Sequence, residues 1–307
     1  FLMKVKPLAV LVVLLSLLVS MTFGCHAQFQ PGTYTDDTGR GVTIDEIPQR
    51  IVSFGPSITE ILFALGLGER VVGVSDFSDY PEEAKSKPSV GSAYSPSIEK
   101  LVELEPDLVF TLEHEQLNSE LEALGIKFLI LDPDDIDGIF SNIELVGAVT
   151  GTGDEATELI DSMEDTIDYV LAQVEGAPAV SVFFIVDATD MTLPWTSGPG
   201  SFIDALITMA GGENIASEAP NADAWMTLSI EYIVGSDPEV IIIQTMTGGI
   251  PTVSIEALEE HPIWGEMTAV IQGNVFLIDG DLVSRPGPRI VQGLEELARI
   301  IHPELFD

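Results

Sequence analysis

The chain has 307 residues, more than one hydrophobic core usually serves, so two domains are the default expectation. Its 46% hydrophobic and 20% charged residues are globular composition. Fifty acidic residues against twelve basic ones give a net charge of −38, which excludes a general nucleic-acid binder and argues against peripheral binding to anionic lipid. The acid surplus has two readings: a strongly solvated surface, or charge complementary to a basic docking partner.

In chain order, Lys4 and Lys6 precede an apolar run, Leu8–Val19, of 12 residues. That is the core of a signal peptide over 1–24, too short for a comfortable membrane span of about 20 residues. The run ends in TFGC, and Cys25, the single cysteine, stands where a bacterial lipobox places its lipidated residue; ordinary cleavage is the alternative. Residues 25–45 read as a tether and then a hairpin turning at Thr38–Gly41, with Val42 and Ile44 expected to alternate outward and inward along a strand. RIVSF (50–54) is a short apolar strand stopping at Gly55-Pro56. Ser57 then caps a helix with Glu60 three residues on, a capping box, and Gly66 and Gly68 close it. RVVGVS, the helix SIEKLVELE, the strand PDLVF, the helix SELEALG and the strand IKFLIL follow. This alternation predicts parallel sheets covered by helices.

Residues 153–176 break the rhythm with one long helix, whose Leu159, Met163, Ile167, Val170, Leu171 and Val174 fall at helical spacing. A second series then begins: AVSVFFIV, SFIDALITMAGGENI, SIEYIVGSD, PEVIII, NVFLID and a final helix, RIVQGLEELARII. It copies the first in order. SITEILFALGLGERVVG parallels SFIDALITMAGGENIAS, and SIEKLVELEPDLVF (97–110) parallels SIEYIVGSDPEVII (229–242). The expected fold is therefore α/β: two Rossmann-like lobes, 46–150 and 177–307, joined by a long rigid α-helix at 151–176, with a ligand cleft between them.

Enzyme signatures are scarce. There is no phosphate loop or nucleophile elbow, and Val71 stands where a dinucleotide fingerprint needs its third glycine. Of the four histidines, His26 lies in the tether and His302 near the C-terminus, too few for a transition-metal site, so none is expected. His114, between carboxylates, reads as a solvated residue at a helix start. Arg285, in the loop SRPGPRI after NVFLID, either faces a ligand or pairs with a local carboxylate; Arg289 reads as structural. Phe77, Tyr80, Tyr94, Trp195 and Trp225 all fall in connections outside the periodic elements, at equivalent ends of the two lobes, as Pro56 does. Rigid aromatics there suit a large, partly apolar ligand. Trp264 reads as core. Glu99 and Glu231, third in each copy of the repeated stretch, sit in first helical turns, which the helix dipole favours.

From residue 35 on, RIVSFGPSITEILFALGLGERVVGVSDFSDYPEEAKSKPSVG followed by SPSIEKLVELEPDLVF resembles a substrate-binding protein of an ABC importer. The group is the helical-backbone class that carries cobalamin, iron–siderophores and haem. The resemblance implies no enzymatic activity and no intrinsic cofactor. It implies a small-molecule ligand, a permease with ATPase subunits as partners, and a monomer outside the cytoplasmic membrane, lipid-anchored through Cys25. It also assigns Glu99 and Glu231 to pair with arginines of the permease. LPWTSGPGSFIDALITMAGGENIA is most similar to vitamin B12-binding members, which implies Phe77, Trp195 and Trp225 flanking a corrin ring. The tryptophan those members carry before the first docking helix is replaced by Ala93, with Tyr94 adjacent, which leaves a siderophore or haem open as cargo. An enzyme or a sensor on the same fold is the remaining alternative.

Overall fold

The computed structural model describes residues 29–306 apart from Ala93 and Thr247; the leader, Cys25 and His26 lie outside the described residues. The chain opens with a hairpin, β1 (Gly32–Thr35) and β2 (Gly41–Ile44), paired antiparallel. Val42 and Ile44 do not alternate as expected: both turn inward and Thr43 outward, because residues two apart share a strand face. Asp36 welds the hairpin to the first lobe. Its Oδ1 accepts from Thr38 Oγ1 at 2.8 Å and from the Arg40 amide at 3.0 Å, and its Oδ2 accepts from Arg40 Nη2 at 3.0 Å and from the Ile130 amide at 3.2 Å. Burial opposes the charge of this carboxylate, but the hydrogen bonds from Thr38 and Arg40 outweigh it and hold the pKa below the ordinary aspartate value. A depressed pKa contributes stability that is present above the unfolded value and lost as pH falls through the folded one. Asp36→Asn should therefore destabilise the protein at neutral pH. The gap between the urea midpoints of the two proteins should begin to narrow as the pH falls below about 4 and close only below the depressed pKa of the folded state.

The first lobe continues through β3 (Ile51–Phe54), α1 (Pro56–Ala64), β4 (Val71–Val74), the two-residue strands β5 (Gly91–Ser92) and β6 (Ser95–Pro96), α2 (Ile98–Glu103), β7 (Leu108–Thr111), α3 (Glu115–Leu124), β8 (Phe128–Ile130) and α4 (Ile136–Thr150). Its sheet is parallel, in the order β4-β3-β7-β8. Helix α1 does not start on Ser57. Gly55 is the N-cap and Pro56 the first helical residue, where a fixed φ and a missing N–H cost nothing. Glu60 is accordingly not part of a capping box. Helix α4 has no counterpart in the expected series; the Asp135 side chain caps it by accepting from the Gly138 amide at 2.8 Å.

Helix α5 (Gly153–Val174) follows, 22 residues and about 33 Å long. Ala156, Met163 and Val170 form its buried stripe, while Leu171 is exposed. The second lobe runs through β9 (Val180–Ile185), β10 (Trp195–Ser197), α6 (Phe202–Met209), β11 (Gly212–Asn214), β12 (Trp225–Thr227), α7 (Ile230–Ser236), β13 (Val240–Met246), β14 (Ile250–Pro251), α8 (Ile255–Glu260), α9 (Thr268–Gln272), β15 (Val275–Asp279), α10 (Gly280–Ser284) and α11 (Ile290–Ile301). Its parallel strands stand in the order β11-β9-β13-β15, with β14 antiparallel on β13.

Each lobe thus arranges its four parallel strands as second, first, third and fourth, the same winding twice. The repeated stretch has a matching function in both. Asp107 accepts from the Gln49 amide at 2.7 Å and from the Arg50 amide at 3.0 Å, and its equivalent Glu239 accepts from the Ser181 amide at 2.9 Å. The acid after each proline therefore pins the start of each lobe's first strand. One core extends from Ile51, Leu62 and Phe110 through Met163 and Val170 to Phe184, Ile207 and Leu294, so the long helix is packed into both lobes. The outer sheet faces have cores of their own, around Val109 and Leu121 and around Ile241 and Trp264.

Candidate ligand-binding site

The parallel strands of each lobe deliver their C-terminal ends to connections that hold the candidate residues, the usual ligand position in open α/β sheets. On the second lobe, β10 and β12 form an antiparallel ribbon in which Trp195 faces Thr227 and Ser197 faces Trp225. This register sets the two tryptophans diagonally on one face. Their rings stand 6.4 Å apart at 73°, each 48% exposed. The ribbon is anchored: the Trp195 amide donates to the Asp187 carbonyl at 2.7 Å, and Thr196 Oγ1 donates to the Phe184 carbonyl at 2.6 Å. The indole faces are free while their backbone is held.

On the first lobe, Phe77 and Tyr94 are exposed at 62% and 86%, and Pro56 is half-buried at the start of α1. Tyr94 lies in the turn between β5 and β6, edge-on to His114 at 5.2 Å. His114 is the N-cap of α3, partly covered by this contact and less solvated than its charged neighbours suggest.

Arg285 departs from the ligand-facing expectation. It is 8% exposed, and its guanidinium meets Asp79 at 2.7 Å, Asp281 at 2.7 Å and Glu60 at 3.4 Å. Arg289 grips Glu60 with both ends, Nε to Oε2 at 2.9 Å and Nη2 to Oε1 at 2.6 Å, and lies 4.0 Å over the Tyr80 ring. Glu60 and Asp79 belong to the first lobe and both arginines to the second, so the cluster clamps the lobes together. Gly287 permits the approach, since a Cβ there would stand 3.3 Å from the Ser57 carbonyl oxygen. Burial works against the charge of Arg289, but the hydrogen bonds and charge of Glu60 raise its pKa. Burial, with Asp79 and Asp279 nearby, raises that of Asp281 in spite of Arg285.

Glu60 and Asp79 are the residues that sequence reasoning missed. The available signal is a single charged residue set among Ile58, Ile61 and Leu62 on a helix otherwise without charge. The same cluster places the Phe77 loop, because Asp79 is two residues further on and its amide donates to the Phe77 carbonyl at 3.1 Å. A cavity of about 520 Å³ lies away from these aromatics, between α4, α5 and α6, ringed by Asp135, Asp137, Glu164 and Asp168. Among the described residues there is no cluster fit to hold a metal ion.

Glu99 and Glu231 are both exposed in the first turns of α2 and α7. Among the described residues neither carboxylate has an ion-pair partner. Ser229 caps α7, accepting from the Tyr232 amide at 3.4 Å, whereas Ser97 occupies the cap position of α2 without a side-chain bond.

Comparison with known proteins agrees with this architecture. The chain is 33% identical to an uncharacterized ABC transporter substrate-binding lipoprotein, YvrC, of Bacillus subtilis, over 90% of this chain and 87% of that protein. It is 28% identical to a cobalamin-binding protein of Halobacterium salinarum, over 89% of this chain and 74% of that one. The solved structure of the periplasmic heme-binding protein RhuT from Roseiflexus sp. RS-1 superposes with a TM-score of 0.74 at 27% identity, covering 84% of this chain and 99% of that chain. Residues 51–282 match the family model described as periplasmic binding protein, and the chain belongs to that family.

Proposed function

We propose that this protein is the extracytoplasmic ligand receptor of an ABC importer, with cobalamin or a related corrinoid as its cargo. The observation that carries the reading is the tryptophan pair. Two large rings, half exposed on a pinned ribbon, make an apolar wall that a broad flat ligand would cover. Phe77 and Tyr94 on the other lobe supply further apolar surface, and the likeness to a cobalamin-binding protein supports the choice of ligand. Residues 46–150 and 177–307 act as the two jaws. The cross-lobe cluster and the continuous core keep closure small, so the site is largely preformed and pays little ordering entropy on binding.

The loaded protein docks on the permease through Glu99 and Glu231, and ATP hydrolysis belongs to that partner. Cys25 carries a lipid anchor, and the receptor works as a monomer. Among the described residues no helix is long and apolar enough to cross a membrane. A ferric siderophore or haem is the second reading, favoured by Ala93 in place of a tryptophan and by the likeness to a heme-binding structure.

The transport role is tested by charge reversal. Glu99→Lys with Glu231→Lys should abolish ligand uptake and reduce association with the permease complex by more than about tenfold, since like charges replace matched ones. Uptake and association at the parental level would rule the docking role out.

A further inference from the structure

The two docking helices share more than their glutamates. Between 97–110 and 229–242 five positions are identical: Ser97 and Ser229, Ile98 and Ile230, Glu99 and Glu231, Val102 and Val234, Pro106 and Pro238. Three of the five have a structural reason. The serines hold the N-cap positions, the isoleucines pack inward, and the prolines precede the strands β7 and β13. The other two are surface positions: Glu99 and Glu231, exposed in first turns that the helix dipole favours, and Val102 and Val234, exposed at 48% and 41%.

A neighbouring surface position has diverged, with Glu103 exposed on one copy against Gly235 exposed on the other. The backbones remain equivalent: Glu105 and Asp237, at matching positions beyond the valines, have φ of 45° and 41°. Each valine follows its glutamate by three residues, and such pairs lie side by side on a helix. A β-branched side chain on an exposed helical position gains nothing for the helix, where straight-chain residues are favoured. One exposed valine is ordinary surface. The same valine, beside the same carboxylate, on both copies of a duplicated lobe is a matched pair of contacts.

We propose that Val102 and Val234 are the apolar half of the permease-docking face, one seated beside each glutamate. The partner surface that fits is basic, complementary to the two carboxylates and to a receptor of charge −38, with apolar groups flanking its cations. A small apolar contact beside an ion pair excludes water from it and so strengthens it. This inference rests on the docking reading of Glu99 and Glu231, and its test separates the two.

Proteoliposomes holding the receptor's permease–ATPase complex are titrated with the parent, with Val102→Ser/Val234→Ser and with Glu99→Gln/Glu231→Gln, at low and high salt. The valine variant should bind about tenfold more weakly at both salt levels while its ligand affinity stays parental. The glutamine variant should weaken binding mainly at low salt and flatten the salt dependence. Binding of the valine variant within about twofold of the parent overturns the inference. If the glutamine variant is also neutral, the docking reading falls with it. Loss in the valine variant alone upholds the apolar contacts and removes only the glutamates.

Discussion

Glu60→Ala is expected to cost about 3–5 kcal/mol of folding stability, because it leaves the largely covered guanidinium of Arg289 without its counter-charge. Glu60 is 3% exposed and is the sole acidic partner of Arg289 among the described ion pairs. Arg285 would keep Asp79 and Asp281, so the damage falls mainly on Arg289. The size of the effect comes from leaving a charge unpaired and does not measure the worth of the pair. A double variant, Glu60→Met with Arg289→Met, removes both charges at similar volume and should recover most of the loss. Urea unfolding of the three proteins checks this. An unmoved midpoint in Glu60→Ala would show that the cluster does not hold the lobes together.

The second large effect concerns the ligand. Trp195→Ala and Trp225→Ala should each lower ligand affinity by about 2 kcal/mol or more, roughly thirtyfold in Kd, the size expected of a buried aromatic anchor. Each ring is 48% exposed in the free protein, so neither removal should cost much stability. The rings touch edge to face at 6.4 Å, so the double variant should lose less than the sum of the two single losses. Isothermal titration of the four proteins measures all of this. Tyr94→Ala at 86% exposure is a useful companion, since any loss there reports contact with the ligand and not folding.

Much of the architecture is legible in the chain because it is written twice. The alternation of apolar strands and helices in the two halves marks the two parallel sheets, whose shared strand order only the structure shows, and the long helix at 153–174 stands out by its length and apolar spacing. The tryptophans, too, are found by their place in Pro/Gly-rich connections. That they touch is not visible, because their contact depends on the register of a three-residue ribbon whose strands lie 30 positions apart. Glu60 fails for a related reason. Locally, Ser57 and Glu60 make a good capping box, but Pro56 already starts the helix and Glu60 is drawn to cations 225 and 229 residues away. Local pattern reports local competition, and here a buried cross-lobe charge pair wins it. Helix α4 falls between two clearer signals in the sequence, although Ile139, Ile143 and Val146 carry its periodicity.

The central claim is that the two-lobed cleft holds a corrinoid against Trp195 and Trp225, and fluorescence titration with cyanocobalamin tests it most directly. The chain has three tryptophans, and Trp264 is fully buried, stacked on Phe183 at 6.0 Å. A bound corrin should therefore quench the two exposed rings, saturably and with one ligand per protein, and the quench should vanish in Trp195→Ala/Trp225→Ala, where only the buried tryptophan reports. No saturable response to cyanocobalamin, with one to a ferric siderophore or haem instead, would contradict the corrinoid assignment.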